Sequence, residues 1–210
     1  MLAYPIKAAL ESGLFEQVIV STDDSTIARI ARDAGARVIH RPDELATDSA
    51  TVVDVCLHLL EILKNENALP DMFCTIYPTA VFLTPEDLNR SFLLLADEPE
   101  CDFVMGVSEY NLHPVQALVE HNGYLQPMWP EYLELKSQSY PHLVCSNGTL
   151  YWARVPAFQE IKSFYGKRFR GYEIPRNRSI DIDTPEDYEI VKQIAYRYFN
   201  DMYGSKQSGL

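Results

Sequence analysis

Two aspartates near the C-terminal end of the chain, Asp181 and Asp183, have the spacing of a metal-binding pair. They lie in the stretch SIDIDTPEDY, residues 179–188. Alternate residues of a β-strand share one face, so a strand here directs Ile180 and Ile182 into the core and both carboxylates to the opposite face. Two carboxylates this close repel each other unless a cation or a hydrogen-bond donor lies between them. Because Mg²⁺ binds one or two carboxylates together with substrate phosphates, the pair is a candidate magnesium site.

The same stretch also has a purely structural interpretation. The segment Thr184-Pro185-Glu186-Asp187 is a good start for a helix, with threonine as the N-cap, proline in the first turn and acidic side chains beside the positive end of the helix dipole. In that interpretation Asp183 merely precedes a helix. Local pattern leaves both interpretations open.

Familiar catalytic motifs are missing from the rest of the chain. The sequence contains no nucleophile elbow, no zinc-protease helix motif and no phosphate-binding P-loop, and its five histidines have no ligand spacing. Asn147-Gly148-Thr149 leads directly into an apolar run and could bind a ligand, but Asn-Gly is equally a strong turn signal. The remaining candidates are polar residues that follow predicted strands.

Overall composition narrows the class of protein. The chain has 210 residues and a net charge of −12, which argues against nonspecific binding to nucleic acid or to an anionic membrane. A small anionic substrate is still compatible, since a metal and a few cations can reverse the field within one cleft. No secretory signal and no membrane-spanning run are predicted. The four cysteines lack C-x-x-C spacing, which is typical of a protein in the reducing cytoplasm.

The order of predicted elements indicates a single α/β domain over residues 1–210. Helices and strands alternate in the first half, which is typical of parallel strands with helices on both faces. One helix is predicted to begin at an Asp48 cap. From 109 to 175 the rhythm changes to short strand-like pieces, which predicts a small antiparallel extension that acts as a lid or a dimer contact. Ligands of such sheets bind beyond the carboxyl ends of the strands, where Arg41 and Tyr77 lie.

Five stretches, in this order and spacing, resemble the acylneuraminate cytidylyltransferases, the CMP-sialic acid synthetase group, with the pseudaminic acid cytidylyltransferases as the most similar branch. The similarity runs from about residue 1 to residue 195. The stretches are VIVSTDD (18–24), RPDELATDSA (41–50), YPTAVFLTPEDL (77–88), NGTLYW (147–152) and DIDTPEDY (181–188).

The resemblance implies a Rossmann-like nucleotidyltransferase fold and a dimeric enzyme that activates a nine-carbon sugar acid with CTP. In such enzymes the anomeric hydroxyl attacks the α-phosphate and pyrophosphate leaves. Asp181 and Asp183 match the Mg²⁺-binding pair, and Arg41 and Ala50 match positions beside the cytosine. The positions that match contacts with the sugar acid are Tyr77, Thr79, Lys136, Gln138, Asn147, Tyr151, Phe164 and Tyr165.

The chain also departs from the family pattern. Tyr77 replaces the glutamine of the sialic acid enzymes and resembles the pseudaminic branch, whereas Ser146-Asn147-Gly148-Thr149 is closer to the sialic type. Lys136 stands where arginine is usual, and it keeps the charge but loses the planar fork that grips a carboxylate in two places.

The largest departure concerns the first strand and the phosphate-binding loop of the family, which have no counterpart in the sequence. Met1 to Ile6 resemble the helix that follows that loop. Without a central strand, two neighbouring strands are expected to lack a partner. The alternative function is therefore an N-terminally truncated, catalytically inactive relative that serves as a binding or interaction protein.

Overall fold

In a computed structural model of the protein, the structure describes residues 1–180, 182 and 184–204, with backbone alone for 196–204. Helices and strands alternate through the first half, as the sequence predicts. The helices are α1 (Ala3–Ser12), α2 (Ser25–Asp33), α3 (Val52–Asn65), α4 (Pro85–Ala96), α5 (Val155–Ile161) and α6 (Pro185–Gly204). The strands are β1 (Ile19–Thr22), β2 (Arg37–His40), β3 (Met72–Ile76), β4 (Phe103–Glu109), β5 (Leu118–His121), β6 (Tyr124–Pro127), β7 (Val144–Arg154) and β8 (Phe169–Glu173).

The strands form a main sheet and two smaller ones. The main sheet has the order β3-β7-β4-β8, in which β7 runs antiparallel to β3 and β4, and β8 runs parallel to β4. A second sheet contains β1 and β2, which pair in parallel, and a hairpin contains β5 and β6. Across the described residues, no helix combines the length and the apolar character that crossing a bilayer would require.

Strand β7 carries antiparallel pairing into the centre of the main sheet. The sequence predicts an antiparallel extension within residues 109–175, but the structure places β7 and β8 of that region inside the sheet. The physical reason is the apolar run from Leu150 to Ala153, all of it buried. Leu150 and Trp152 pack on one face of the sheet, while Tyr151 and Ala153 pack on the other, so β7 needs apolar cover on both faces.

The helix starts follow from short sequence signals. Thr51 and Thr84 each form a capping box with the aspartate three residues later, so Thr51 rather than the predicted Asp48 caps α3. The predicted start of α6 is confirmed, since the Thr184 hydroxyl donates to the Asp187 carboxylate at 2.6 Å.

An apolar groove separates β1 from β3. In the described part of the chain, β1 pairs only with β2 and β3 pairs only with β7, so each has one open edge. Helix α1 forms part of the wall, and the cavity between the two edges has a volume of about 110 Å³. As the sequence predicts, two neighbouring strands thus lack a partner: β1 and β3 each have no described strand on the side that faces the groove.

Candidate functional site

Two of the predicted site residues, Tyr77 and Tyr151, meet beside the end of β3. Tyr77 directly follows this strand, and its backbone N–H donates to the carbonyl of Thr149 on β7 at 3.0 Å. The rings of Tyr77 and Tyr151 lie 5.7 Å apart, centroid to centroid. Asn147 lies on the same strand as Tyr151. The β3–β7 pairing thus brings together residues that are about seventy positions apart in the sequence.

The two predicted aromatic residues Phe164 and Tyr165 have different environments. Phe164 is buried, with its ring 5.1 Å from that of Tyr151 and 4.8 Å from that of Phe158. Tyr165 is 63% exposed and lies 6.3 Å from the ring of Phe169. Phe164 therefore supports Tyr151 from the core, whereas Tyr165 offers its ring to solvent.

Hydrogen bonds orient the side-chain amide of Asn147. Its Nδ2 donates to the Ser108 hydroxyl at 3.0 Å, and its Oδ1 accepts from the Thr149 hydroxyl at 2.6 Å. The Ser108 hydroxyl lies 2.6 Å from that of Ser179, only two residues before Asp181. This chain of contacts links Asn147 to the segment that carries the predicted metal-binding pair.

Gly106 makes room for the amide of Asn147. A Cβ atom at this position would collide with the Thr149 hydroxyl and would lie 2.7 Å from Asn147 Oδ1. Sequence reasoning did not include Gly106 or Ser108 in the site. A glycine inside the apolar run of β4 was an available signal, because such a glycine commonly marks a close approach of another chain segment.

A buried ion pair anchors the segment that precedes Asp181. Arg178 donates to the two carboxylate oxygens of Asp87 at 2.5 and 3.0 Å, and the Tyr172 hydroxyl donates to the same carboxylate at 3.0 Å. Burial raises the pKa of Asp87, but the hydrogen bonds from Arg178 and Thr84 outweigh this effect, so the pKa lies below its usual value. Burial and the nearby Asp87 carboxylate raise the pKa of Tyr172 to about 12.

The predicted metal-binding residues Asp181 and Asp183 lie outside the described residues. Their described neighbours Ile180 and Ile182 are partly buried and pack against a cluster containing Phe82, as predicted, but neither of these two residues belongs to a strand. Elsewhere in the described ranges, no group of three or more histidine, cysteine, aspartate or glutamate side chains could hold a metal ion.

The predicted cytosine-binding residues follow β2 and precede α3. The Arg41 guanidinium donates through Nη2 to the carbonyl of Ser21 at 2.6 Å, so β1 holds this side chain in place. Ala50 lies directly before the Thr51 cap, and its backbone N–H donates to the carbonyl of Thr47 at 3.1 Å. Hydrogen bonds therefore fix the side chain of Arg41 against β1 and the backbone of Ala50 in the turn before α3.

The remaining predicted sugar-binding residues are Thr79, Lys136 and Gln138. Thr79 lies in the turn after β3, where its carbonyl accepts from the N–H of Val81 at 2.8 Å. Lys136 and Gln138 are exposed and belong to a 3-10 turn at residues 137–139 and its N-cap. These two side chains are thus accessible from solvent, in contrast to the partly buried Asn147.

Comparison with known proteins identifies one family and several relatives. The sequence model of the family described as cytidylyltransferase matches residues 1–207. A Helicobacter pylori protein named pseudaminic acid cytidylyltransferase and UDP-2,4-diacetamido-2,4,6-trideoxy-beta-L-altropyranose hydrolase is 30% identical over 175 residues, which cover 83% of this chain and 33% of that protein. The pseudaminic acid cytidylyltransferase of Campylobacter jejuni is 27% identical and matches 94% of this chain and 85% of its own length.

Further relatives extend the range of named sugars. The N-acylneuraminate cytidylyltransferase of Escherichia coli O18:K1:H7 is 29% identical, with 97% of this chain and 48% of that protein covered. The matched region thus covers about a third of the Helicobacter pylori protein and about half of the Escherichia coli protein, but most of the Campylobacter jejuni protein. Among solved structures, CMP:2-keto-3-deoxy-manno-octonic acid synthetase complexed with CTP has the same α/β fold, with a TM-score of 0.64 at 15% identity over 94% of this chain and 88% of that chain.

Proposed function

Since the chain belongs to the cytidylyltransferase family, we propose that it activates a nonulosonic acid of the sialic or pseudaminic type with CTP. The anomeric hydroxyl oxygen of the sugar acid forms a bond to the α-phosphorus of CTP, the bond to the β-phosphate breaks, and CMP-sugar and pyrophosphate result. The family match over residues 1–207 carries this proposal. The named sugars of the relatives support the substrate class.

The residues of the chain are proposed to position the two substrates. Arg41 and Ala50 lie beside the cytosine. Tyr77 and Tyr151, which meet beside the end of β3, form one wall of the sugar site together with Asn147 of the same strand as Tyr151, and Phe164 supports Tyr151 from behind. Thr79, Lys136, Gln138 and Tyr165 complete the contacts with the sugar acid. Fixed orientation of reacting groups contributes much of the rate in such transfers, since it removes the entropy of bringing them together.

Asp181 and Asp183 are proposed to hold Mg²⁺. Two carboxylates fit this hard cation, which prefers oxygen ligands. They leave other coordination positions of the cation open for phosphate oxygens of the substrate. When bound, the metal would offset the negative charge that develops on the phosphates. The contacts from Ser179 and Arg178 to the rest of the protein hold the chain immediately before this pair.

Incubation of the protein with CTP, Mg²⁺ and a panel of sugar acids tests the proposed function. We expect pyrophosphate release and a CMP-sugar with pseudaminic, N-acetylneuraminic or legionaminic acid. ATP, GTP and UTP in place of CTP are expected to give much less product. Folded protein that releases no pyrophosphate with any sugar acid would reject the enzymatic proposal and favour the binding-protein alternative.

A homodimer formed through the hairpin segment, residues 110–143, is also proposed. Large apolar side chains of this segment are strongly exposed: Leu112 is 81%, Tyr124 is 75% and Leu125 is 66% accessible. Exposed apolar surface concentrated on one segment is typical of a protein–protein interface. A second copy of the chain is the proposed partner, in accordance with the predicted role of residues 109–175 as a dimerisation arm.

Charge placed on the hairpin is expected to separate the dimer. Replacing Tyr124 and Leu125 together with aspartate should raise the dissociation constant at least about thirtyfold, because two apolar anchors are lost and like charges meet across the interface. The molar mass measured by light scattering after gel filtration should fall from that of a dimer, twice 24.0 kDa, toward the 24.0 kDa of one chain. Leu93→Asp, at a 51% exposed position on α4, is the matched control and should stay dimeric. Unmodified protein that is monomeric at all concentrations would refute the dimer.

The cytoplasm is the proposed location. All four cysteines lie in the described part of the chain and are free thiols. Burial raises the pKa of Cys56 to about 11, so this thiol is not readily ionised. Free thiols are typical of proteins in a reducing compartment.

A further inference from the structure

The side-chain amide of Asn147 has an orientation that its contacts with Thr149 determine. The backbone N–H of Thr149 donates to Asn147 Oδ1 at 3.3 Å. A backbone N–H can only donate, so the atom that faces it must be the amide oxygen. The Thr149 hydroxyl donates to the same oxygen at 2.6 Å. Both lone pairs of Oδ1 are therefore in use, and the oxygen has no capacity left to accept from a ligand.

The Ser108 hydroxyl fixes the nitrogen of the same amide. Ser108 is buried and donates its only proton to the carbonyl of Ile174 at 2.7 Å. Its oxygen accepts from Asn147 Nδ2 at 3.0 Å. The Ser179 hydroxyl lies 2.6 Å from Ser108 and donates to it in preference to the carbonyl of Pro175 at 3.4 Å. One donated and two accepted hydrogen bonds use the full capacity of a hydroxyl group, so Ser108 holds the amide and has nothing to offer a ligand.

An irregularity in the main sheet exposes the remaining hydrogen of this amide. The regular pairing of β4 with β7 is interrupted, so one residue of β4, Gly106, lies opposite residues 147–150 of β7. Such bulges redirect side chains and are common beside active sites. Asn147 is half-buried, and the second hydrogen of its Nδ2 has no acceptor among the described residues. The amide thus presents one unused donor and no unused acceptor.

We propose that Ser108 is a positioning residue which, together with Thr149, fixes Asn147 as a hydrogen-bond donor to a carboxylate or acyl carbonyl oxygen of the sugar acid. The inference rests on the proposed function, which assigns the sugar acid to this site. Carboxylate and carbonyl oxygens have lone pairs and no hydrogen, and they match a group that can only donate. A free ammonium group has only donors and would leave the buried network without a partner.

Asn147→Asp tests the direction of this hydrogen bond, with binding as the readout. Calorimetry with CTP present and magnesium chelated measures binding of pseudaminic, N-acetylneuraminic and legionaminic acid without transfer. For the acid that the unmodified protein binds most tightly, the dissociation constant should rise at least about 30-fold, because an acceptor then faces an acceptor. A rise below about threefold would mean that a sugar hydroxyl, which can donate to aspartate, faces this position. That result, or no binding of any of the three acids, would overturn the proposal.

Two analogues of the tightest-binding acid distinguish the two candidate oxygens. One analogue has free amines in place of the acylated amines, and the other has a hydroxymethyl group in place of the carboxylate. The penalty of Asn147→Asp should disappear with one of them, because a double-mutant cycle loses its coupling when either partner is removed. The analogue that removes the penalty identifies the oxygen. An equal penalty with both analogues would show that Asn147 contacts neither oxygen and would refute the assignment.

Ser108→Ala tests the positioning role, with Ser91→Ala as the matched control. Ser91 is also buried, and its hydroxyl donates to the carbonyl of Leu88 at 3.1 Å and accepts from Trp152 Nε1 at 2.9 Å. Both variants should lose stability to a similar degree, but only Ser108→Ala should weaken binding of the sugar acid, by about tenfold, without a change in CTP affinity. Equal affinities of the two variants for the sugar acid would show that Ser108 has a structural role only.

The same titrations separate failure of this inference from failure of the proposed function. Sugar binding with the expected effects of both variants, in a protein that releases no pyrophosphate, would support the inference and reject the enzymatic function. Pyrophosphate release by a protein whose affinity for the sugar acid is unchanged in Asn147→Asp would support the enzymatic function and reject the inference.

Discussion

Replacing Asp87 with asparagine is expected to lower the free energy of unfolding by about 3–5 kcal/mol, because breaking a buried ion pair leaves the partner charge uncompensated. The Asp87 side chain is only 3% exposed and that of Arg178 is 20% exposed. Asparagine retains part of the hydrogen-bonding capacity but not the charge that Arg178 requires. Equilibrium denaturation by urea would measure the loss.

Asp54→Asn is the matched control for this variant. Asp54 forms the same capping box at the start of α3, with the Thr51 hydroxyl donating to its carboxylate at 2.6 Å, but it is exposed. Its replacement should cost only about 1 kcal/mol, as loss of a helix cap usually does. Equal losses for the two variants would show that Asp87 acts as a helix cap alone and that its pair with Arg178 adds nothing.

The pH dependence of stability provides a second measurement of the same pair. Since the pKa of Asp87 is lowered in the folded state, its stabilising contribution is present above the unfolded carboxyl pKa of about 4 and is lost as the pH falls through the folded pKa. The unmodified protein should therefore lose stability more steeply below about pH 4 than Asp87→Asn does. Parallel curves for the two proteins would contradict the lowered pKa.

Replacing Asp183 with asparagine is expected to lower the rate of CMP-sugar formation at least about 100-fold, because the metal supplies several kcal/mol of charge stabilisation and each 1.4 kcal/mol corresponds to a factor of ten. Asparagine has the same shape but removes a negative ligand. The Mg²⁺ concentration at half-maximal rate should rise as well. Initial rates of pyrophosphate release across a magnesium titration would measure both effects.

Asp187→Asn distinguishes the metal role from the helix-start role of the same stretch. Asp187 accepts from the backbone N–H of Thr184 at 2.9 Å and belongs to the start of α6. Its replacement should cost about 1 kcal/mol of stability and leave the magnesium dependence unchanged. If Asp183→Asn also shows an unchanged magnesium dependence, then Asp183 only precedes the helix and the proposed metal site is wrong.

Local signals in the sequence predicted much of the first half of the fold. Aspartate is a favoured N-cap, and the Asp24 carboxylate accepts from the N–H of Ile27 at the start of α2 at 2.7 Å. Glycine commonly ends a helix in the left-handed conformation, and Gly13 at the end of α1 has a φ of 70°. The predicted alternation of helices and strands agrees with the observed order from α1 to β4. Each of these features depends on residues only a few positions apart, which is why pattern was sufficient.

Features that depend on distant contacts escaped prediction. Residues 109–175 appeared as an antiparallel extension because their strands are short and separated by turn residues, yet β7 lies between β3 and β4. Pattern alone cannot assign the partner of a buried strand. The same limit applied to Ser108, whose hydroxyl contacts Asn147 and Ser179, residues that lie 39 and 71 positions away.

Apart from the cap of α3, the sequence by itself determined the α/β alternation, the predicted helix starts and the set of candidate site residues, because periodicity, capping and ordered motifs are local properties of the chain. Only the tertiary structure decided how the strands pair, which side chains become buried and what holds the site segments. Asp87 illustrates the difference: its role in a capping box follows from Thr84, three positions away, whereas its charge partner Arg178 is 91 positions away. Burial and long-range pairing are properties of the packed chain, and no spacing along the sequence encodes them.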